Sequence, residues 1–170
     1  MGYTKVATGN RAQFTMPHYN GDGQKYYTMV ALTSAVAKVT MQYVPTDSGY
    51  GCFAGAADLM RLCIPLETVA SGEYVDCVIA GRITGVSVGA SGKVASTAMS
   101  TFTKGDFVFY TDTGTFAAGL ATWSSPAWVD GATAAGLDLQ GAAGIALTSG
   151  ETATFDLFLI EKQQGVLQAT

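Results

Sequence analysis

Between Gly72 and Gly119 the chain repeats one unit: a short apolar, β-branched run, then a glycine. Tyr74 to Ile79, Arg82 to Val88 and Asp106 to Thr111 read as strands, with a turn at Lys104-Gly105 and another at Asp112-Thr113-Gly114. Runs of this length and composition, separated by glycine turns, build sheets rather than helices. No stretch carries a sustained 3.6-residue apolar repeat with caps, and only Ala54 to Leu62 reads as a short helix. The expected fold is mainly β: a single antiparallel β-barrel or sandwich, jelly-roll-like, whose work is done by its surface.

The alternation within these runs assigns faces. Tyr74, Asp76 and Val78 share one side of their strand, and Val75, Cys77 and Ile79 share the other, which is the expected core face. Ala143 to Thr148 and Ala153 to Ile160 are further strands around a Ser149-Gly150-Glu151 turn. The last strand is apolar on both sides, so a central or doubly covered position is expected, with Asp156 turned to solvent or to a partner. Upstream, Tyr26 to Thr33 and Val36 to Val44 are strand-like and could pair as a hairpin, though Ser34-Ala35 between them lacks the usual Asn-Gly or Asp-Gly, and Pro45 closes the second run. Asp47 to Gly55 reads as a glycine-rich loop holding an exposed Cys52, and Leu59 to Ile64 as a short strand ended by Pro65.

The organisation that follows has three parts. Residues 1–24 are polar, with Pro17 and an Asn20-Gly21-Asp22-Gly23 turn cluster, and form an extended N-terminal arm or a disordered tail. Residues 25–160 are the β domain, and 161–170 are a polar C-terminal tail. Within the domain, 117–142 is rich in Ala and Gly and holds Trp123 and Trp128. It is long for a connection, so it is either an insertion loop used for contact or a hairpin that tucks both tryptophans into the core.

Composition narrows the partners. Charged residues are 13% of the 170, against roughly 25% in average soluble domains, while hydrophobic residues are 48%. No apolar run approaches the roughly 20 residues of a membrane-spanning helix. The apolar excess must enter a core, contacts with other chains, or both, which favours an assembly protein over a lone monomer. The nine Lys and Arg are scattered singly, so no basic stripe exists to track phosphates, and neither nucleic acid nor a membrane surface is an expected partner. Cys52, Cys63 and Cys77 are odd in number and form no CxxC pair, which fits free thiols and a reducing site of folding. The N-terminus shows no signal peptide, and Val6 stands where a myristoylation signal needs Ser or Thr.

Catalytic patterns are few. Gly85-Val86-Ser87-Val88-Gly89 matches GxSxG, but no helix is expected after it, and the single histidine, His18, lies upstream. Gly89-Ala90-Ser91-Gly92-Lys93 lacks the leading glycine and following hydroxyl of a phosphate loop. One His and three dispersed Cys do not make a zinc site of ordinary spacing. Asp76, Asp106, Asp112 and Asp156 fall near strand ends, where Asp usually shapes turns, though they could meet to bind calcium or form an acid pair. No enzyme activity, metal or cofactor is expected.

Several motifs in order resemble a known family. They are Gly72-Glu73-Tyr74-Val75, Gly85-Val86, Lys104-Gly105-Asp106-Phe107-Val108-Phe109-Tyr110, Asp112-Thr113-Gly114, Gly144-Ile145-Ala146-Leu147 and Ser149-Gly150-Glu151-Thr152-Ala153-Thr154-Phe155. Over roughly residues 66–160 the chain resembles the small β-rich decoration, or cement, proteins of tailed bacteriophage capsids. The portion before residue 65 and the 117–142 segment go beyond a simple core of that kind. The resemblance implies a structural virion protein, made in the host cytoplasm, that binds the outer capsid surface and locks neighbouring major capsid protein subunits. It also implies a homo-oligomer, with a homotrimer expected first and a dimer next. The chain is short for a major capsid protein and lacks that family's long helix.

The expected contacts, with capsid or with other copies, are the aromatic and polar residues of the arm and loops: Tyr3, Phe14, His18, Tyr19, Trp123 and Trp128. The alternative is a receptor- or carbohydrate-binding β module of a virion fibre, in which Trp123 and Trp128 stack on sugar rings. A hydrolase using Ser87 is a third reading.

Overall fold

Residues 16–47, 49–54, 61–87, 103–111, 114–115, 122–123, 127–130, 143–149 and 154–161 are described by the computed structural model. Among them the chain forms strands and no helix. In order these are β1 (His18–Tyr19), β2 (Lys25–Ala31), β3 (Met41–Thr46), β4 (Gly49–Phe53), β5 (Leu62–Pro65), β6 (Tyr74–Ser87), β7 (Phe107–Thr111), β8 (Gly114–Thr115), β9 (Thr122–Trp123), β10 (Ala127–Asp130), β11 (Gly144–Ala146) and β12 (Thr154–Leu159).

Strands β2, β4, β3, β5 and β6 form a ring, because β6 pairs back onto β2. The result is a closed five-stranded barrel with extra strands. Four junctions are antiparallel and β2–β4 is parallel. Strand directions cannot alternate around an odd-numbered ring, so one parallel junction is a condition of closure. Closure removes the free edges that an open sheet would expose.

β6 is long enough, at 14 residues, to serve two layers. Tyr74 to Ala80 pairs with β2 in the barrel, and Gly81 to Ser87 pairs with β12 in a second sheet of order β6-β12-β11-β7-β10. Gly81 sits at the changeover with φ +102, and a Cβ there would lie 2.7 Å from the Gly23 carbonyl oxygen. Glycine is the residue for such a position, lacking the atom that would collide.

Two apolar clusters follow. Met29, Met41, Cys52, Cys63, Val75, Cys77 and Ile79 fill the barrel. Leu62, Ile64, Val78, Ile83, Val86, Val108, Tyr110, Phe155, Leu157 and Leu159 pack the barrel wall against the second sheet. Period-2 alternation divides β5 between them: Cys63 faces inward, while Leu62 and Ile64 face the second sheet. Burying side chains such as Ile83 or Leu157 stabilises by about 1.5–3 kcal/mol each, and truncating Leu157 to Ala should cost about 2–5 kcal/mol.

The mainly β, barrel-forming expectation is met, and so are the strands at Tyr74–Ile79 and Asp106–Thr111 and the buried thiols of Cys63 and Cys77. Other expectations are corrected. The segments 26–33 and 36–44 do not pair as a hairpin: β2 lies between β4 and β6, and β3 between β4 and β5. Residues 36–40 are not strand. Here Lys38 turns the chain with φ +64, its amide donating to the Pro65 carbonyl. Pro45 lies inside β3, opposite Tyr50. The expected 47–55 loop contains β4, so Cys52 is buried in the barrel instead of exposed. Val78, expected to share an outward face with Tyr74 and Asp76, is outside the barrel but covered by the second sheet. β12 takes the central one of the two positions expected for it, between β6 and β11, with one face covered and Phe158 on the other 45% exposed.

Part of the expected arm is structured. β1 pairs with β2, and the Asn20 carboxamide accepts from the Asp22 and Gln24 amides to shape the turn between them. Part of 117–142 is also structured, since β10 pairs with β7 in the second sheet. The short helix expected at 54–62 falls mostly on 55–60, outside the described residues.

Candidate interaction surface

The expected contact residues lie in different places. Tyr3 and Phe14 are outside the described residues. His18 and Tyr19 form β1 at one margin of the sheet, where the His18 ring stacks on Tyr26 at 5.3 Å between centroids. That stack fixes β1, while Tyr19 and nearby Met16 are 67% and 65% exposed. Trp123 is in register with Gly114 in a two-strand ribbon, and Trp128 is in register with Tyr110 in the second sheet. The four that are described are therefore not brought together: β1 flanks the barrel and β10 ends the second sheet.

A second exposed feature is missed by a reading that places contacts only in loops. On the outer face of the second sheet, Arg82 is in register with Phe158, Phe158 with Ile145, and Ile145 with Phe107. Phe107 is 46% exposed, matching Phe158. The signal was present in the sequence as apolar residues at both parities of 153–160, but a buried second face and an exposed apolar one read alike there.

One end of the barrel carries an aromatic cap. Tyr27, Tyr43 and Tyr50 share parity with the interior residues of their strands, and their ring centroids lie 4.6–6.5 Å apart. Tilted and edge-on arrangements of this kind are favourable. Lys25, two residues before Tyr27, pairs with Glu161 at 2.7 Å, and the hydrogen bond holds the ammonium above its ordinary pKa. Burial pushes the Tyr43 phenol up to about 12.

Three of the four dispersed acids have local work. Asp76 accepts from the Thr28 hydroxyl at 2.6 Å. Asp106 accepts from both the amide and the hydroxyl of Thr103, which lowers its pKa. Asp156 accepts from the Gly85 amide and lies 3.7 Å from the Arg82 guanidinium. Asp112 is outside the described residues. Among the described residues no group of three His, Cys, Asp or Glu is placed to hold a metal ion. Ser87 of the GxSxG match is a buried strand residue in register with Thr154, and its amide donates to the Lys38 carbonyl. A nucleophile elbow instead needs its serine on a sharp strand-to-helix turn.

Fold and surface together define a closed β-barrel with an appended sheet and exposed apolar residues on two separate faces. No protein-family model matches the chain, and no curated protein or solved structure matches it significantly.

Proposed function

We propose that this chain is a structural virion protein that binds the outer surface of a capsid and stabilises contacts between major capsid protein subunits. The observation that carries this reading is β1. His18 is pinned on Tyr26, and the same short strand presents Tyr19, with Met16 beside it, to solvent. An anchored strand that offers apolar side chains outward supports contact with another protein, because the ordering cost is already met before binding. The motifs behind the decoration-protein resemblance supply β6, β7, β11 and β12, most of one continuous sheet. A rigid sheet of this kind suits a platform from which arms and loops reach a repetitive lattice, where many weak contacts gain by multivalency.

The test is sedimentation with mature capsids that lack the protein. Saturable pelleting at a fixed ratio to capsid subunits is expected, and a Met16→Ser/Tyr19→Ser double variant should weaken it at least tenfold. Folded protein left wholly in the supernatant overturns the reading. Binding on a glycan array without capsid affinity replaces it with the carbohydrate-binding module.

A further inference from the structure

We infer that Tyr27 and Tyr50 form a modification site, where a one-electron oxidant joins their rings into a dityrosine and ties β2 to β4. The inference stands on the geometry of the barrel end and is independent of capsid binding.

Among the three capping tyrosines one pair is set apart. The Tyr27 and Tyr50 ring centroids lie 4.6 Å apart at 43°, at the short end of the roughly 4.5–7 Å range of aromatic pairs. Their hydroxyls also share a hydrogen bond. Phenols couple through the ring carbons beside the C–O bond, so a shared hydrogen bond brings the coupling carbons of the two rings together. Tyr43 is placed otherwise: it meets Tyr50 edge-on, at 81° and 5.5 Å, and lies 6.5 Å from Tyr27.

Burial favours coupling within one molecule. All three rings are half-buried, so each can pass an electron and a proton outward while shielded from rings of other molecules. Tyr19 on β1, 67% exposed, has no such shield. Two groups already held in contact combine far faster than two that must meet by diffusion.

In the reaction each phenol gives up one electron and its hydroxyl proton. The two radicals join by a carbon–carbon bond ortho to oxygen, and the hydrogen on each joined carbon moves to its oxygen, restoring both phenols. The pair is oxidised by two electrons and releases two protons to solvent. With peroxydisulfate as the electron acceptor, its O–O bond breaks and two sulfates form.

The new bond falls ahead of the described backbone ladder. β2 and β4 are in register at Val30–Gly51 and Ala31–Cys52, and both tyrosines precede these residues. A cross-link there fastens the parallel junction beyond those pairs. It also restricts the unfolded chain between residues 27 and 50, as a disulfide would, so the linked protein should melt higher.

The experiment is photo-oxidation of the full chain with ruthenium tris-bipyridyl and peroxydisulfate, then trypsin digestion and mass spectrometry. Tyr27 falls in the 26–38 peptide and Tyr50 in 39–61, so the expected product is these two peptides linked and lighter by two hydrogens. Dityrosine fluorescence should rise on monomeric protein, with a yield independent of protein concentration. Tyr27→Phe and Tyr50→Phe should each lower the linked product at least tenfold, while Tyr43→Phe and Tyr19→Phe keep it, with circular dichroism as a check on folding. Fragment sequencing of the wild-type product locates the bond directly and serves if a variant fails to fold. A bond at Tyr26 or Tyr43, a yield that falls on dilution, or an equal yield from urea-unfolded protein overturns the site. So does oxidised Cys52 without the linked product, since that thiol is in register with Tyr43 inside the barrel and can reduce a tyrosyl radical.

Discussion

The Gly85 amide donates to the Asp156 carboxylate at 3.1 Å, across a bulge in the β6–β12 ladder. Ile83 pairs with Leu157 and Val86 with Phe155, so Thr84 and Gly85 together oppose Asp156 alone. Gly85 takes φ +67, the left-handed conformation that a glycine bulge uses. The carboxylate accepts the amide that the bulge leaves outside the ladder. This accounts for two puzzles of the sequence at once: the acid in an apolar strand, and the first glycine of an apparent GxSxG.

The two glycines of β6 should respond differently to alanine. A Cβ at Gly85 meets nothing within 4 Å, so Gly85→Ala carries only the left-handed backbone cost of about 1–2 kcal/mol. At Gly81 the Cβ would approach the Gly23 carbonyl oxygen and the Gln24 backbone, neither of which can rotate away. Gly81→Ala should therefore lose about 3 kcal/mol or more, strain and collision together. Urea unfolding of both variants checks the order. Equal losses would mean that Gly81 is not a tight crossing point between the layers.

Tyr43 should make the fold sensitive to alkali. Its folded pKa, pushed up to about 12 by burial, lies above the ordinary value of 10. The neutral phenol is favoured in the folded state, so its contribution is full below pH 10 and is lost as pH rises toward 12. With allowance for solvent at this half-buried group, the loss amounts to at most about 2 kcal/mol. Tyr43→Phe should lessen the loss of stability across that window, while Lys25 and Tyr27, whose pKa values are also raised, keep part of it. An unchanged pH profile in the variant would remove Tyr43 as its source.

Lys38 should be a site of gain. It is a non-glycine residue with φ +64, and burial lowers its pKa. Below the folded pKa the charged form carries its full desolvation cost, and this fades as pH rises through that pKa to 10.5. Lys38→Gly relieves the left-handed strain and the charge, against a larger unfolded-state entropy. Net stabilisation of about 0.5 kcal/mol at pH 7 is expected, shrinking toward pH 10.5, and thermal melts at both pH values read it.

Much of the fold was legible because β6, β7, β11 and β12 obey local rules: β-branched runs, glycine turns and period-2 faces. Ring closure was not, since no local signal says that β2 seeks β4 and β6 rather than its neighbour in sequence, β3. The same closure explains Cys52, whose glycine neighbours mimic a loop while the parallel β2–β4 junction buries them. For the surface, His18 and Tyr19 were legible as contact candidates by residue type; Tyr19 is exposed, while His18 is half-buried against Tyr26. The Phe107–Ile145–Phe158 row needed the registers of three strands, which distance in sequence hides.

The three cysteines should stay reduced even under oxidant. Cys52, Cys63 and Cys77 are all free and buried inside the barrel. Hydrogen bonds from Cys63 and Cys77 lower the Cys52 thiol, burial raises Cys63, and donation to Cys52 raises Cys77. An acidic thiol beside two others would ordinarily invite a disulfide. The topology opposes it. β3 stands between the strands of Cys52 and Cys63, and β2 between those of Cys52 and Cys77. Across a closed ring of five strands about 4.8 Å apart, strands two apart are separated by a chord of roughly 8 Å, still beyond the roughly 7 Å limit on Cα separation. Cys63 and Cys77 are on neighbouring strands, but Cys77 is in register with Pro65, leaving the two thiols diagonal. Folded protein treated with diamide should therefore keep its mass and its melting temperature. Ellman's reagent should react with none of the thiols in buffer and with all three after unfolding. A disulfide formed without unfolding would mean that the barrel opens far enough to bring two of these strands together.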